Sequence, residues 1–292
     1  MGITAAADAP FPAWSPQSSL ELMDRNEIKA AILSLSAPGV FFGDAKLARD
    51  LARECNEFAA RVAGDYPQRF GWFAAVPTPD AEAALSEATY ALDTLNADGL
   101  VLLASSGGRF LGDPDFEELM TELNRRYAIV FIHPNIHPST LGLALKIPGF
   151  FIEFLFDTTR AVTNLLFTGA FERYPNIRWI IAHAGATIPY IVWRLSLAEG
   201  LPQFRERIPR GVATYLKRLY YDTALSPSPN AMASLLELTD PSHILFGSDF
   251  PFAPAPVVEA EVDALDRLSV FTPEIRRKVD CENALALFPR FR

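Results

Sequence analysis

From about residue 17 onward, short continuous apolar runs alternate with longer amphipathic stretches. Ala30–Leu35 reads as a buried strand, followed by Phe70–Val76, Gly99–Leu103, Ala128–Ile132, Trp179–Ala182, Leu219–Tyr221 and Ile244–Phe246. Runs of this length, bounded by Gly, Pro or charge, suit parallel strands covered on both faces. The segments between them carry apolar residues three and four apart. Ala45–Gly64 is an example, with Leu47, Leu51, Cys55, Phe58 and Val62 on one side and charges on the other, the pattern of a helix that buries one stripe. The same spacing predicts helices over Ala81–Asn96, Asp115–Arg126, Thr158–Tyr174, Asn230–Leu238 and Glu259–Leu268. Pro67, Pro175 and Pro241 stand just ahead of strands, where a helix must stop.

A repeated βα unit implies a parallel sheet with right-handed crossovers, and at this length a (β/α)8 TIM barrel in one domain. Seven strands are found, and the first follows a helix, Ser18–Asn26, that no strand feeds. Since a closed barrel takes eight strands, the first barrel strand is expected to be missing. Residues 1–16, rich in Ala and Pro, are expected to form a leader, loop or disordered, and 17–292 the barrel domain. Asn135–Pro148 reads as a long loop over the barrel mouth.

Charge and composition narrow the partners. Lys and Arg number 26 against 35 Asp and Glu, a formal charge of −9, which opposes an electrostatic grip on nucleic acid. The most apolar window, Leu141–Phe156, is interrupted by Lys146, Pro148 and Glu153 and cannot span a bilayer. Met1–Pro12 has neither the basic nor the apolar region of a signal peptide, so a cytoplasmic location is expected. Cys55 and Cys281 fit no disulfide or zinc pattern and read as reduced thiols near helix packing.

The candidate chemistry sits at strand ends. His133 closes AIVFIH, His183 closes WIIAH, Asp222 closes LYYD, and Asp249 follows ILF in the run Gly247–Pro251. In a βα barrel the C-terminal strand ends share one face, where active sites lie. Two imidazoles and two carboxylates there suit Zn2+ or Mn2+, with one carboxylate free for acid–base work. Each residue also has an ordinary structural role open to it. A lone His is commonly a hydrogen-bonded core residue, and an Asp after a strand is commonly a turn former or N-cap, the role Asp222 would take alone. His137 lies in the mouth loop, where it is expected to be exposed and able to face substrate, whereas His243 begins its strand and belongs to the opposite face.

The runs PAWSPQSSLELMDRNEIKAAILSLSAPGV, FIHP, DTTRAVTNLLF, IIAHAGATIPYIVWR and LFGSDFPF resemble the amidohydrolase-2 family. They are most similar to its branch of aminocarboxymuconate-semialdehyde, γ-resorcylate and 6-methylsalicylate decarboxylases, the last type above all. The resemblance implies a barrel of the metal-dependent hydrolase type with a divalent metal, zinc first and manganese second. It implies His133 as a metal ligand, Asp249 as a ligand or carbon protonator, His183 as the catalytic histidine beside the metal, and Arg194 on the substrate carboxylate. In some members that arginine acts across a dimer interface, so a homodimer is expected. The family opens with an Asp-x-His-x-His motif on its first strand, and no His-x-His occurs here. A late-called start or a truncation is the expected origin of the gap, ahead of natural loss of activity.

The expected activity is metal-dependent, non-oxidative decarboxylation of a small hydroxy-aromatic acid of salicylate type. Asp249 would protonate the ring, His183 would tune that proton or orient the substrate, and Phe250 and Phe252 would flank the ring unless they simply pack. A metal-dependent amidohydrolase or lactonase on the same scaffold is the alternative. A non-catalytic binding protein is a third possibility.

Overall fold

The computed structural model describes residues 2, 4–143 and 146–292. Its main sheet has seven parallel strands: β1 (Ala31–Leu33), β2 (Phe70–Ala75), β3 (Gly99–Leu103), β4 (Ile129–His133), β5 (Arg178–Ile181), β6 (Tyr220–Asp222) and β7 (Ile244–Leu245). Their spatial order follows the chain order, and β1 and β7 are the two edges. Sequential parallel strands joined by helices are the topology of a (β/α)8 barrel, here with seven strands among the described residues.

Side chains alternate across each strand. Trp72, Leu100, Leu102, Val130, Ile132, Trp179, Ile181 and Tyr221 face the surrounding helices, whereas Phe73, Ala75, Val101, Ile129, Ile180 and Leu245 form a second, inner core. This period of two dictates where the polar strand ends point. His133 continues the inward series Ile129, Phe131, and Asp222 continues from Tyr220.

The seam between β1 and β7 is covered from outside by α1 (Pro16–Arg25). Leu20 and Met23 of α1 pack with Val62 and Phe70, while Leu22 packs with Ala253 and Val258 on the other side. Burying three such side chains is worth up to about 1.5–3 kcal/mol each. At the opposite end of the chain, Leu287 and Phe288 join the inner core, and Phe288 meets the ring of Phe73 at 6.0 Å. Arg290 locks this floor with two hydrogen bonds to Asp98, at 2.6 and 2.7 Å.

The remaining helices of nine residues or more largely follow the predicted pattern: α2 (Ala45–Asp65), α3 (Ala81–Asp93), α4 (Glu117–Arg125), α5 (Glu153–Phe167), α6 (Ile188–Ser196), α7 (Pro229–Leu238) and α8 (Ala255–Asp266). Four differences have local causes. The helix expected over Thr158–Tyr174 starts earlier and breaks at Gly169, whose φ of 79° is left-handed, before a short helix over Ala170–Arg173. Helix α6 escaped prediction because its apolar residues surround the axis rather than form one stripe. Helix α1 starts at Pro16, inside the expected leader, because Ser15 caps it by accepting from the Ser18 amide. The leader itself carries a two-residue hairpin pairing Ala5–Ala6 with Ala9–Pro10, and Asp8 accepts from the Gly149 amide at 3.0 Å.

The mouth loop contains a helical turn over Pro138–Thr140, and its residues Ala144 and Leu145 lie outside the described residues. Both cysteines are unpaired, Cys55 half-buried and Cys281 exposed. Among the described residues no helix is long and apolar enough to cross a membrane.

A candidate metal centre at the barrel mouth

His133, His183 and Asp249 come from the ends of β4, β5 and β7, and each presents one donor atom within 4.8 Å of the others. The His133 and His183 rings lie 5.6 Å apart. Each Nε2 stands 3.9 Å from a different oxygen of Asp249. Both imidazoles are only 5 % exposed.

The backbone that delivers them is strained. His183 and Asp249 have φ of 55° and 54°, and Ala184 and Ala186 share that left-handed region, at a cost of about 1 kcal/mol or more for each non-glycine residue. Asp222 helps to hold the His183 turn: one carboxylate oxygen accepts from the His183 amide at 2.8 Å and the Ala224 amide at 3.1 Å. Only glycine fits at 185, because φ is 75° and a Cβ would stand 2.7 Å from the Tyr221 ring. The AHAGA run thus reads as a turn built to aim His183.

Polar satisfaction favours a cation here. His133 Nδ1 donates to the Pro134 carbonyl at 2.9 Å, so Nε2 is the atom turned to Asp249. Nε2 of His133, the atom that faces Asp249, is buried without a hydrogen-bond partner, a costly state that bound ligands commonly explain.

The carboxylates around the imidazoles add to this. Burial pushes Asp222 up to about 6. Burial opposes ionisation of Asp249 too, but His133 and His183 outweigh it and hold that carboxyl well below its ordinary value. Burial works against a protonated His183, and Asp249 followed by Asp222 and Glu261 overcomes it, raising the imidazole. Three carboxyl groups crowded in a desolvated pocket are relieved by positive charge. The donor set, the orphaned His133 nitrogen and the charge all fit a divalent metal.

Glu261 was not recognised from the sequence. It lies on α8 between Val258 and Leu265, on the face that helix buries, so a carboxylate in an apolar stripe was the available signal. It accepts from the Leu225 amide, its other oxygen has no partner, and burial pushes it up to about 8. Free glutamate ionises near 4.5. The folded, metal-free protein therefore keeps a proton that the unfolded chain releases, so stability falls as pH rises from about 4.5 to about 8. Glu261→Gln keeps the acceptor for Leu225 and removes the titration. With chelator present, the variant is expected to match the parent near pH 4.5 and exceed it at pH 8 by up to about 4–5 kcal/mol, at about 1.4 kcal/mol per unit of displacement. Urea unfolding at both pH values checks this; equal differences at the two would contradict it.

Asp157 was also missed. It is buried on α5 and accepts from Asn135 N at 2.9 Å and Ser105 Oγ at 3.0 Å, anchoring the chain just past His133.

Other expected positions fall elsewhere. His137 is half-buried rather than open to solvent: its ring stacks on Phe110 at 4.6 Å, and its nitrogens engage Ser139 and the Gly108 carbonyl. His243 stacks on Tyr220 at the start of β7, at the face away from the mouth as expected. Phe250 packs with Leu22, Ala253 and Val258 beneath α1. Two phenyl rings stand 6.0 Å from His133, Phe131 on its own strand and Phe154 on α5. Arg194 is exposed on α6, and its side chain has no hydrogen bond or ion pair among the described residues.

An amidohydrolase family model matches residues 3–290. A 6-methylsalicylic acid decarboxylase of Penicillium expansum is 35% identical over 287 residues, covering 97% of this chain and 88% of that protein. Among solved structures, an amidohydrolase II superposes with a TM-score of 0.93 at 32% identity, over 99% of this chain and 93% of its own. A 5-carboxyvanillate decarboxylase of Novosphingobium aromaticivorans, complexed with manganese and 4-hydroxy-3-methoxy-5-nitrobenzoic acid, superposes with a TM-score of 0.85 at 25% identity, over 93% and 79%. The seven-stranded parallel sheet, the site at its mouth and these likenesses agree: the chain belongs to the amidohydrolase family.

Proposed function

We propose that this chain catalyses metal-dependent decarboxylation of a small hydroxy-aromatic carboxylic acid. The observation that carries the proposal is the convergence of His133, His183 and Asp249 within 4.8 Å at the mouth, in a chain whose relatives include decarboxylases of such acids. His133 through Nε2 and Asp249 would hold the metal, with His183 beside it. A bound divalent cation supplies positive charge that draws the substrate carboxylate and neighbouring phenol oxygen into place. Zinc suits this imidazole–carboxylate set, and the manganese in a related decarboxylase makes Mn2+ the other candidate.

Expelling CO2 directly from an aryl acid leaves an unstable carbanion, so the ring carbon must first receive a proton. The His183–Asp249 pair is placed to give it, and the proton favours the imidazole rather than Asp249 alone. The ring carbon–carboxyl bond then breaks, its electrons return to the ring, and a phenol and CO2 leave. Asp222 holds the His183 backbone while this occurs.

Arg194 is assigned to the substrate carboxylate of a second copy. Its helix exposes Tyr190 by 87% and Trp193 by 79%, with Leu197 also open, an apolar stripe suited to a homodimer. A cytoplasmic setting completes the proposal.

The test supplies Zn2+ or Mn2+ and offers 2-hydroxybenzoates and, separately, aryl lactones. Equal yields of CO2 and phenol that vanish with chelator support decarboxylation; acid release from lactones without CO2 would replace it with hydrolysis.

A further inference from the structure

The two histidines at the mouth are held in different ways. His183 is aimed through its backbone amide, which Asp222 grips, and its ring Nδ1 is buried without a partner. His133 is held through the ring itself, since Nδ1 donates to the Pro134 carbonyl at 2.9 Å. The amide of that same peptide, Asn135 N, donates to Oδ2 of Asp157 at 2.9 Å. Carbonyl and amide share one rigid plane. The Asp157 carboxylate therefore sets the tilt of the carbonyl that the His133 ring reaches.

The hold on that peptide is firm. Asp157 is only 1% exposed. Ser105 Oγ donates to the same carboxylate oxygen at 3.0 Å, and Asn135 Nδ2 closes the clamp on the Ser105 carbonyl, also at 3.0 Å. The other oxygen, Oδ1, has no partner, and burial pushes the carboxyl above its ordinary value. A buried carboxylate left part-paired is costly, and positive charge at His133 offsets that cost.

Building on the metal centre assigned above, we propose that Asp157 is a positioning residue for the metal: through the Pro134–Asn135 peptide it fixes the His133 ring and makes Nε2 a stronger donor. Each hydrogen bond in such a chain polarises the next. A carboxylate bonded directly to the imidazole N–H is a common partner behind a metal-bound histidine. Here one peptide group stands between the two.

The test measures Zn2+ affinity by competition with a chromophoric chelator, beside urea unfolding of each variant. Asp157→Asn keeps an oxygen for the Asn135 amide and removes the charge. It is expected to weaken Zn2+ binding about tenfold, and Asp157→Ala up to about a hundredfold. Ser105→Ala removes the other hydrogen bond to Oδ2 and leaves the peptide link in place. It is expected to lower stability without changing Zn2+ affinity. The second readout is the His133 Nδ1 proton in the metal-free protein, identified by its absence from the NMR spectrum of His133→Ala. With four histidines in the chain, the imidazole region is simple. That proton is expected to exchange slowly with water in the parent and in Asp157→Asn, and at least about tenfold faster in Asp157→Ala. Unchanged Zn2+ affinity in both Asp157 variants, or an equal loss in Ser105→Ala, overturns the proposal, as does slow exchange that survives in Asp157→Ala. A parent that binds no Zn2+ overturns it together with the metal centre. Affinity that falls with Asp157 while no acid loses CO2 retains it and rejects the decarboxylase assignment instead.

Discussion

Asp249→Asn is expected to lower kcat/KM for decarboxylation by at least about a thousandfold, because one carboxylate serves two purposes. It is the only anionic donor in the three-residue cluster, and it is the partner that keeps His183 protonated against burial. An amide keeps the size but neither charges the metal site nor stabilises an imidazolium, and loss of positioned acid–base chemistry alone costs about 10²–10⁴. Asparagine is the informative replacement. Position 249 has a φ of 54°, a conformation that Asn tolerates better than most residues, so loss of activity would not be loss of the turn. Steady-state rates at saturating metal, with circular dichroism to confirm folding, check this. Activity within tenfold of the parent would remove Asp249 from the reaction.

A chain extended ahead of Pro12 by a strand ending in His-x-His is expected to bind Zn2+ or Mn2+ at least about a hundredfold more tightly. Catalytic zinc normally keeps three protein ligands and an open position. The described cluster offers three donors, of which His183 is also assigned to proton transfer. Strands β1 and β7 each have an unpaired edge among the described residues, and such edges accept a further strand. With α1 already across the seam, an added strand would bring its C-terminal end to the same mouth. The matching extension with Ala-x-Ala separates the two effects: it should add stability through pairing but leave metal affinity unchanged. Equal affinities in the two extensions would mean that the edge strand plays no part in the metal site.

The barrel was legible because its strands are buried on both faces and so read as unbroken apolar runs; Gly99–Leu103 matches the structure at both ends. The unfed helix before β1 also revealed the seven-strand count, since α1 bears the cap and stripe of a helix with no strand run ahead of it. The candidate metal donors were legible as strand ends. What stayed hidden depends on contacts between distant segments. Asp222 read as a turn former, which it is, but its grip on the His183 amide exists only once β5 and β6 are neighbours. Glu261 and Asp157 act from buried helix faces, where periodicity shows a stripe but not what lies across from it. Phe250 and Phe252 looked available for a ring, yet Phe250 is taken up by packing under α1, and Phe154, from a helix far along the chain, stands beside His133 instead.

The measurement that tests the metal centre most directly is elemental mass spectrometry of the protein after equilibration with Zn2+ or Mn2+ and removal of free ion. About one ion per chain is predicted, with loss of that ion in His133→Ala and in Asp249→Ala but not in His243→Ala, which changes a histidine on the opposite face. No stoichiometric metal in the parent, or metal retained in the first two variants, would contradict the assignment of His133 and Asp249 as the residues that hold the metal.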